Sequence, residues 1–147
     1  MTAWLLDVNV LVARLWPDHP SHAKVKLWLD AHEREGWATC AIIQLGTVRT
    51  ISNPAFDKRA PRPVETLHWL QKSLQEHPYH QFWHDELTAF EGCRFAAARL
   101  QGFRQTTDAY LLGLAMHNNA RFVTLDKRIL DLAPPESDAR KSLLILP

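Results

Sequence analysis

WLLDVN, residues 4–9, sets the reading of the chain: an apolar run, Trp4–Leu6, goes straight into Asp7, and Asn9 stands two positions on. A short apolar run ended by a turn-forming acid reads as a buried strand, with Asn9 placed to cap the helix behind it. The same pattern returns in RFVTLDKR, residues 121–128, where the strand candidate Arg121–Thr124 leads into Asp126. Between the two, Ser21–Glu35 carries Val25, Trp28, Leu29 and His32 at helical spacing, and Trp37–Cys40 reads as a strand. Ile42–Ser52 reads as a helix with Leu45, Val48 and Ile51 on one face. Asn53–Pro63 holds three prolines with Lys58, Arg59 and Arg62, which predicts a basic loop. Pro63 then suits the first turn of a helix that aligns Leu67, Leu70 and Leu74. Tyr79–Trp83 reads as a strand, and Thr88 with Glu91 as a capping box ahead of an apolar run to Leu100. Thr107 is the expected N-cap of Asp108–His117, and Leu143–Leu146 the last strand. Helices between strands predict an α/β fold whose mostly parallel sheet is covered on both faces, with ligands beyond the strands' carboxyl ends.

The 147 residues suit one domain, 1–147, and 46% apolar with 22% charged residues argues against disorder. No apolar run reaches bilayer length, and the N-terminus lacks the basic flank of a signal peptide, so a cytoplasmic protein without membrane association is expected. With 17 basic and 16 acidic residues the net charge is +1, too balanced for a strongly cationic nucleic-acid clamp but compatible with a basic rim around an acidic pocket. Cys40 and Cys93 lie far apart without metal-binding spacing, which predicts two buried free thiols in a reducing compartment.

Three aspartates hold equivalent local positions: Asp7 and Asp126 after strands, and Asp108 in QTTDAYLLGLA at the opening of a helix. Singly, each is explained by a turn or by the helix dipole. Together, on one edge of a parallel sheet, they would repel one another unless a proton or cation sat among them. A hard divalent ion, Mg²⁺ or Mn²⁺, suits an oxygen-only pocket, where it would activate water and offset charge building on a phosphodiester.

The strand–Asp-x-Asn opening, the middle helix followed by SNPAF, then TTDAYLLGLA and TLDKR, in this order, resemble the PIN-domain family, from about residue 4 to 146. The similarity is greatest to VapC-type toxins of bacterial toxin–antitoxin pairs. The resemblance implies a three-layer α/β/α fold and a Mg²⁺- or Mn²⁺-dependent endoribonuclease acting on structured RNA, with tRNA as the family-level substrate. It also implies a VapB-like antitoxin and a second copy of the chain as partners. It assigns Asp7, Asp108 and Asp126 as metal ligands, with Asn9 and Thr124 among the catalytic surroundings. The middle helix, AIIQLGTVR, has Gln44 where the family usually has glutamate. Glutamine keeps a carbonyl ligand but loses a charge and any general-base capacity, so weaker metal binding and reduced activity are expected. The alternative is a non-catalytic module that binds RNA or protein. A phosphotransferase with Asp7 as nucleophile is a third reading, for which no lysine and hydroxyl partners can be placed.

Other signals stay open. Thr124 either bonds a carboxylate or phosphate, or simply ends a strand. Arg49, Lys58, Arg59, Arg62, Lys127 and Arg128 either track an RNA backbone or keep loops and helix faces solvated. His77, His80 and His84 in EHPYHQFWHDE lack the pattern of a zinc site, and the six tryptophans read mainly as packing.

Overall fold

The computed structural model of the chain describes residues 3–147; Met1 and Thr2, on which the reading of the N-terminus partly rests, lie outside them. Trp4–Leu6 forms β1, the centre of a five-stranded, all-parallel sheet in the order β3-β2-β1-β4-β5. The other strands are β2 (Trp37–Cys40), β3 (His80–Trp83), β4 (Arg121–Thr124) and β5 (Leu143–Ile145). Parallel neighbours need crossovers, and these are helical. After β1 come α1 (Val8–Leu15) and α2 (His22–His32); after β2 come α3 (Ala41–Ile51) and α4 (Pro63–Gln75). Between β3 and β4 lie α5 (Ala89–Cys93) and α6 (Thr106–His117), and before β5 lies α7 (Asp138–Lys141). The first group packs together through α1 on α2 and α3 and α3 on α4, the second through α5 and α7 on α6. Right-handed crossovers put the two groups on opposite faces, which gives three layers.

The central strands are largely apolar: β1 and β2 are buried along their whole length, and Leu5, Leu6, Phe122 and Val123 are completely sequestered. Leu6 pairs with Val123, so β4 runs one residue past the end of β1 and Thr124 falls level with Asp7. The chain leaves β1 toward β2 and leaves β4 toward β5, which makes the crevice between β1 and β4 the point where strand order reverses. Ligand sites of doubly wound sheets open at such crevices.

Several local readings change. Asp7, not Asn9, is the N-cap of α1: its carboxylate accepts from the Val8 N–H at 2.7 Å, while Asn9 lies within the helix. The helix α6 begins two residues early, at Thr106, with Gln105 as N-cap, so Thr107 belongs to its first turn. Leu45 and Leu67 leave the faces predicted to be buried and line an exposed apolar cavity of about 260 Å³ between α3, α4 and β3. Val48 and Ile51 of the predicted α3 face are buried as expected, and Ile43 and Thr47 join them in place of Leu45. Cys93 is only half-buried, and both cysteines are free thiols. The capping box forms as read, with Thr88 and Glu91 each accepting the other's backbone N–H.

α5 lies so close to α6 that a Cβ built on Gly113 would stand 1.9 Å from the Gly92 carbonyl oxygen. In an open helix, Gly→Ala stabilises by roughly 0.5–1 kcal/mol. Here the sign reverses: Gly113→Ala should lower urea stability by about 2 kcal/mol or more, because α5 must move off its neighbour.

Candidate active site

Asp7 follows β1, Asp126 follows β4 and Asp108 lies in the first turn of α6, so the fold carries all three to the carboxyl edge of the sheet. Asp7 is fixed most firmly. Its N–H donates to the Val123 carbonyl at 2.9 Å, its Oδ1 caps α1, and its Oδ2 accepts from the Thr124 hydroxyl at 2.7 Å. Thr124, 1% exposed, also accepts from Asn9 Nδ2 and from the Asp126 N–H, each at 3.1 Å. A hydroxyl has one proton and two lone pairs, and here all three are used. Asn9 completes the lattice, its Oδ1 accepting from the Leu125 N–H at 3.1 Å. Two residues of α1 and the turn after β4 are thereby bound into one unit.

The electrostatics separate the three acids. Burial pushes the Asp7 carboxyl up from 3.8 to about 6; the Thr124 and Val8 bonds oppose that rise, and the charges of Asp108 and Asp126 add to it. Asp108 is raised by desolvation and then by the charge of Asp126. Asp126 goes the other way, held below the usual carboxylate range by its bonds to Arg128. Arg128 Nε reaches both carboxylate oxygens at 3.0 Å, Nη2 reaches Oδ2 at 2.6 Å, and the Arg128 N–H donates to Oδ1 at 2.9 Å. The acids feel one another's charge, yet among the described residues no three acidic, histidine or cysteine side chains converge closely enough to hold a metal ion.

Gln44 is placed differently. Its Nε2 donates to Thr39 Oγ1 at 3.0 Å, and that hydroxyl also bonds His80 Nε2 at 2.8 Å. Gln44 lines the apolar cavity of α3, α4 and β3 and has no hydrogen bond to any of the three aspartates. Burial, then the nearby His77, lowers His80 to about 4, so its ring is neutral at physiological pH. Nothing in the sequence pattern connects Thr39 and His80 to Gln44. The parallel register of β2 and β3 creates the link by setting Trp37 beside His80 and Thr39 beside Phe82.

The basic residues divide. Arg59 pairs with Asp57 and Asp18, Arg62 with Glu65 and Arg128 with Asp126, while Arg49 is exposed. Lys58 and Lys127 form no ion pair among the described residues. His84 lies edge-on to Phe82, and His77 lies 3.9 Å from Glu33. A cavity of about 680 Å³, lined in part by Glu86, Gly92, Phe95 and His117, shares no residue with the aspartates.

Residues 4–134 match the PIN domain. The chain is 40% identical over 133 residues to ribonuclease VapC44 of Mycobacterium tuberculosis (strain CDC 1551 / Oshkosh), covering 89% of this chain and 91% of that protein. It is 34% identical over 142 residues to ribonuclease VapC38 of Mycobacterium tuberculosis (strain ATCC 25618 / H37Rv), covering 97% and 98%. With ribonuclease VapC39 of that strain it shares 35% over 133 residues, 90% of this chain and 94% of the other. The acids at the strand-order reversal and this likeness along the chain agree: it belongs to the PIN-domain family. Within that family its relatives are ribonucleases of the VapC group.

Two consequences are measurable. Thr124→Val strands partners at Asp7, Asn9 and Asp126 and should cost about 3 kcal/mol in urea unfolding, whereas Thr124→Ser should cost about 1 kcal/mol. The Asp7 carboxyl, raised from 3.8 to about 6, binds its proton more tightly folded than unfolded. Stability therefore falls as pH rises through that interval, by about 3 kcal/mol in full. Asp7→Asn lacks that loss, so in EDTA it should melt above the wild type at pH 7.5, with the gap closing toward pH 4.5.

Proposed function

We propose that the chain is an endoribonuclease that works with Mg²⁺ or Mn²⁺ and cuts structured RNA, with tRNA the first substrate to test. The observation that carries this reading is Asp7: a carboxylate buried where two other carboxylates oppose its ionisation. A bound divalent cation relieves that conflict, and the donor set is all oxygen, as Mg²⁺ and Mn²⁺ favour. That the VapC relatives are ribonucleases supports the same assignment. Asp7, Asp108 and Asp126 would hold the ion once their side chains, which as they stand do not converge into a three-ligand site, turn toward one another. When bound, the ion supplies an activated water and neutralises charge developing on the phosphodiester.

The chain's own residues provide positioning. Thr124 fixes the Asp7 carboxylate, Asn9 fixes the turn that presents Asp126, and the exposed Lys127 is placed to meet RNA phosphates near the site. Gln44, in the position of a usual glutamate, is turned to Thr39 and lends the aspartates no negative charge, which would lower metal affinity and rate. A VapB-like antitoxin, a second copy of the chain and a cytoplasmic setting complete this reading.

The direct test is cleavage of total tRNA by wild type and Gln44→Glu with Mn²⁺, Mg²⁺ or EDTA. Wild type should cut only with metal, Gln44→Glu at least tenfold faster, and Asp7→Asn not at all. The replacement at Gln44 also favours a second reading, a module that binds RNA or protein without catalysis. RNA binding without turnover at any metal concentration would select it.

A further inference from the structure

Asp126 is the acid whose two oxygens are both taken by a cation of the chain itself. Between its backbone N–H, Nε and Nη2, Arg128 makes two contacts to each oxygen. A carboxylate has about four lone-pair sites, so a metal must displace the guanidinium to gain Asp126 as a full ligand. We propose that Arg128 is a resident substitute for the metal: it holds Asp126 until a divalent ion binds, and once released it binds an oxygen of the RNA phosphate. This rests on the metal-ligand reading of Asp7, Asp108 and Asp126.

The local sequence builds the clamp. The tripeptide DKR occurs at Asp57–Arg59 and again at Asp126–Arg128. In both, the arginine N–H bonds the aspartate Oδ1 and the guanidinium folds back on the same carboxylate. At Asp57 the pair is joined by the exposed Asp18 and by Trp16, over whose ring the Arg59 guanidinium lies. At Asp126 the same turn lies at the sheet edge that also carries Asp7 and Asp108, so it acquires a role. The backbone N–H bond does not need the guanidinium, so the turn persists when the side chain departs. The Arg128 side chain is 81% exposed and has no second acid partner among the described residues, so nothing else holds it once Asp126 turns to a metal. A guanidinium fork suits phosphate, and its position two residues from a ligand keeps it beside the reacting group.

The test is Mn²⁺ titration calorimetry on the full chain as wild type, Arg128→Ala, Arg128→Lys and Arg59→Ala. An exposed pair of this kind is weak, so Arg128→Ala should tighten Mn²⁺ binding about three- to fivefold, with Arg128→Lys between and Arg59→Ala unchanged. RNA binding before turnover, by stopped-flow anisotropy on labelled total tRNA, reads the second half. Arg128→Ala should weaken it with Mn²⁺ and leave it unchanged in EDTA, where Arg128 is engaged. Unaltered or weaker Mn²⁺ binding in Arg128→Ala overturns the proposal. Equal tightening in Arg59→Ala does so too, by reducing the effect to net charge. RNA affinity lost equally with and without Mn²⁺ overturns the exchange. If neither wild type nor Arg128→Ala binds Mn²⁺, the metal reading itself falls.

Discussion

The hydrogen bond from the Thr124 hydroxyl to the Asp7 carboxylate is the constraint on which the rest of the site depends. It spans the crevice between the two strands where chain order reverses, and it is possible only because Leu6 and Val123 pair in register. A shift of one residue would turn every side chain of β1 to the other face and separate the two. The same carboxylate caps α1 and the same hydroxyl anchors the backbone before Asp126. Sheet register, helix start and acid placement are therefore one structural fact.

That arrangement is unfavourable unless a cation or proton sits among the acids. A buried acid facing two others is not what stability alone would select, and the cost is concentrated at Asp7 because it is the most enclosed of the three. The surface ion pairs along the loop at Asn53–Pro63 do little to offset it, since exposed pairs contribute roughly 0–1 kcal/mol. They also change how that loop reads. Arg59 and Arg62 have carboxylate partners within their own segment or nearby, which weakens the loop's claim as an RNA track and leaves Lys58 as its unpaired cation among the described residues.

Much of the architecture was legible because it depends on pattern. Buried parallel strands read as short, largely apolar runs, so Trp37–Cys40 and Arg121–Thr124 stood out with their observed bounds. The acids were legible because each follows a strand or opens a helix. Helix faces were less so: period alone cannot distinguish the buried row of α3 from the apolar row containing Leu45, which lines a cavity. Asn9 misled for a related reason. Its residue type suits a cap, but Asp7 was nearer the turn, which freed Asn9 to bind across to β4. Thr124 was ambiguous because a β-branched residue belongs in a strand on propensity alone; only the neighbouring strand shows what its hydroxyl does.

Gln44 and Arg128 mark the limit of such reading from opposite sides. Gln44 drew attention because it departs from a family pattern, yet its partners, Thr39 and His80, come from strand register that no local window contains. Arg128 drew little because a cation after an acid looks like ordinary solvation. Its bond is wholly local, two residues in span, and the turn at Asp57 forms the same way. What distinguishes it is long-range: β1 and α6 bring Asp7 and Asp108 to the edge where that turn lies. A residue's chemistry here follows from its nearest neighbours in sequence, whereas its consequence follows from the order of the strands.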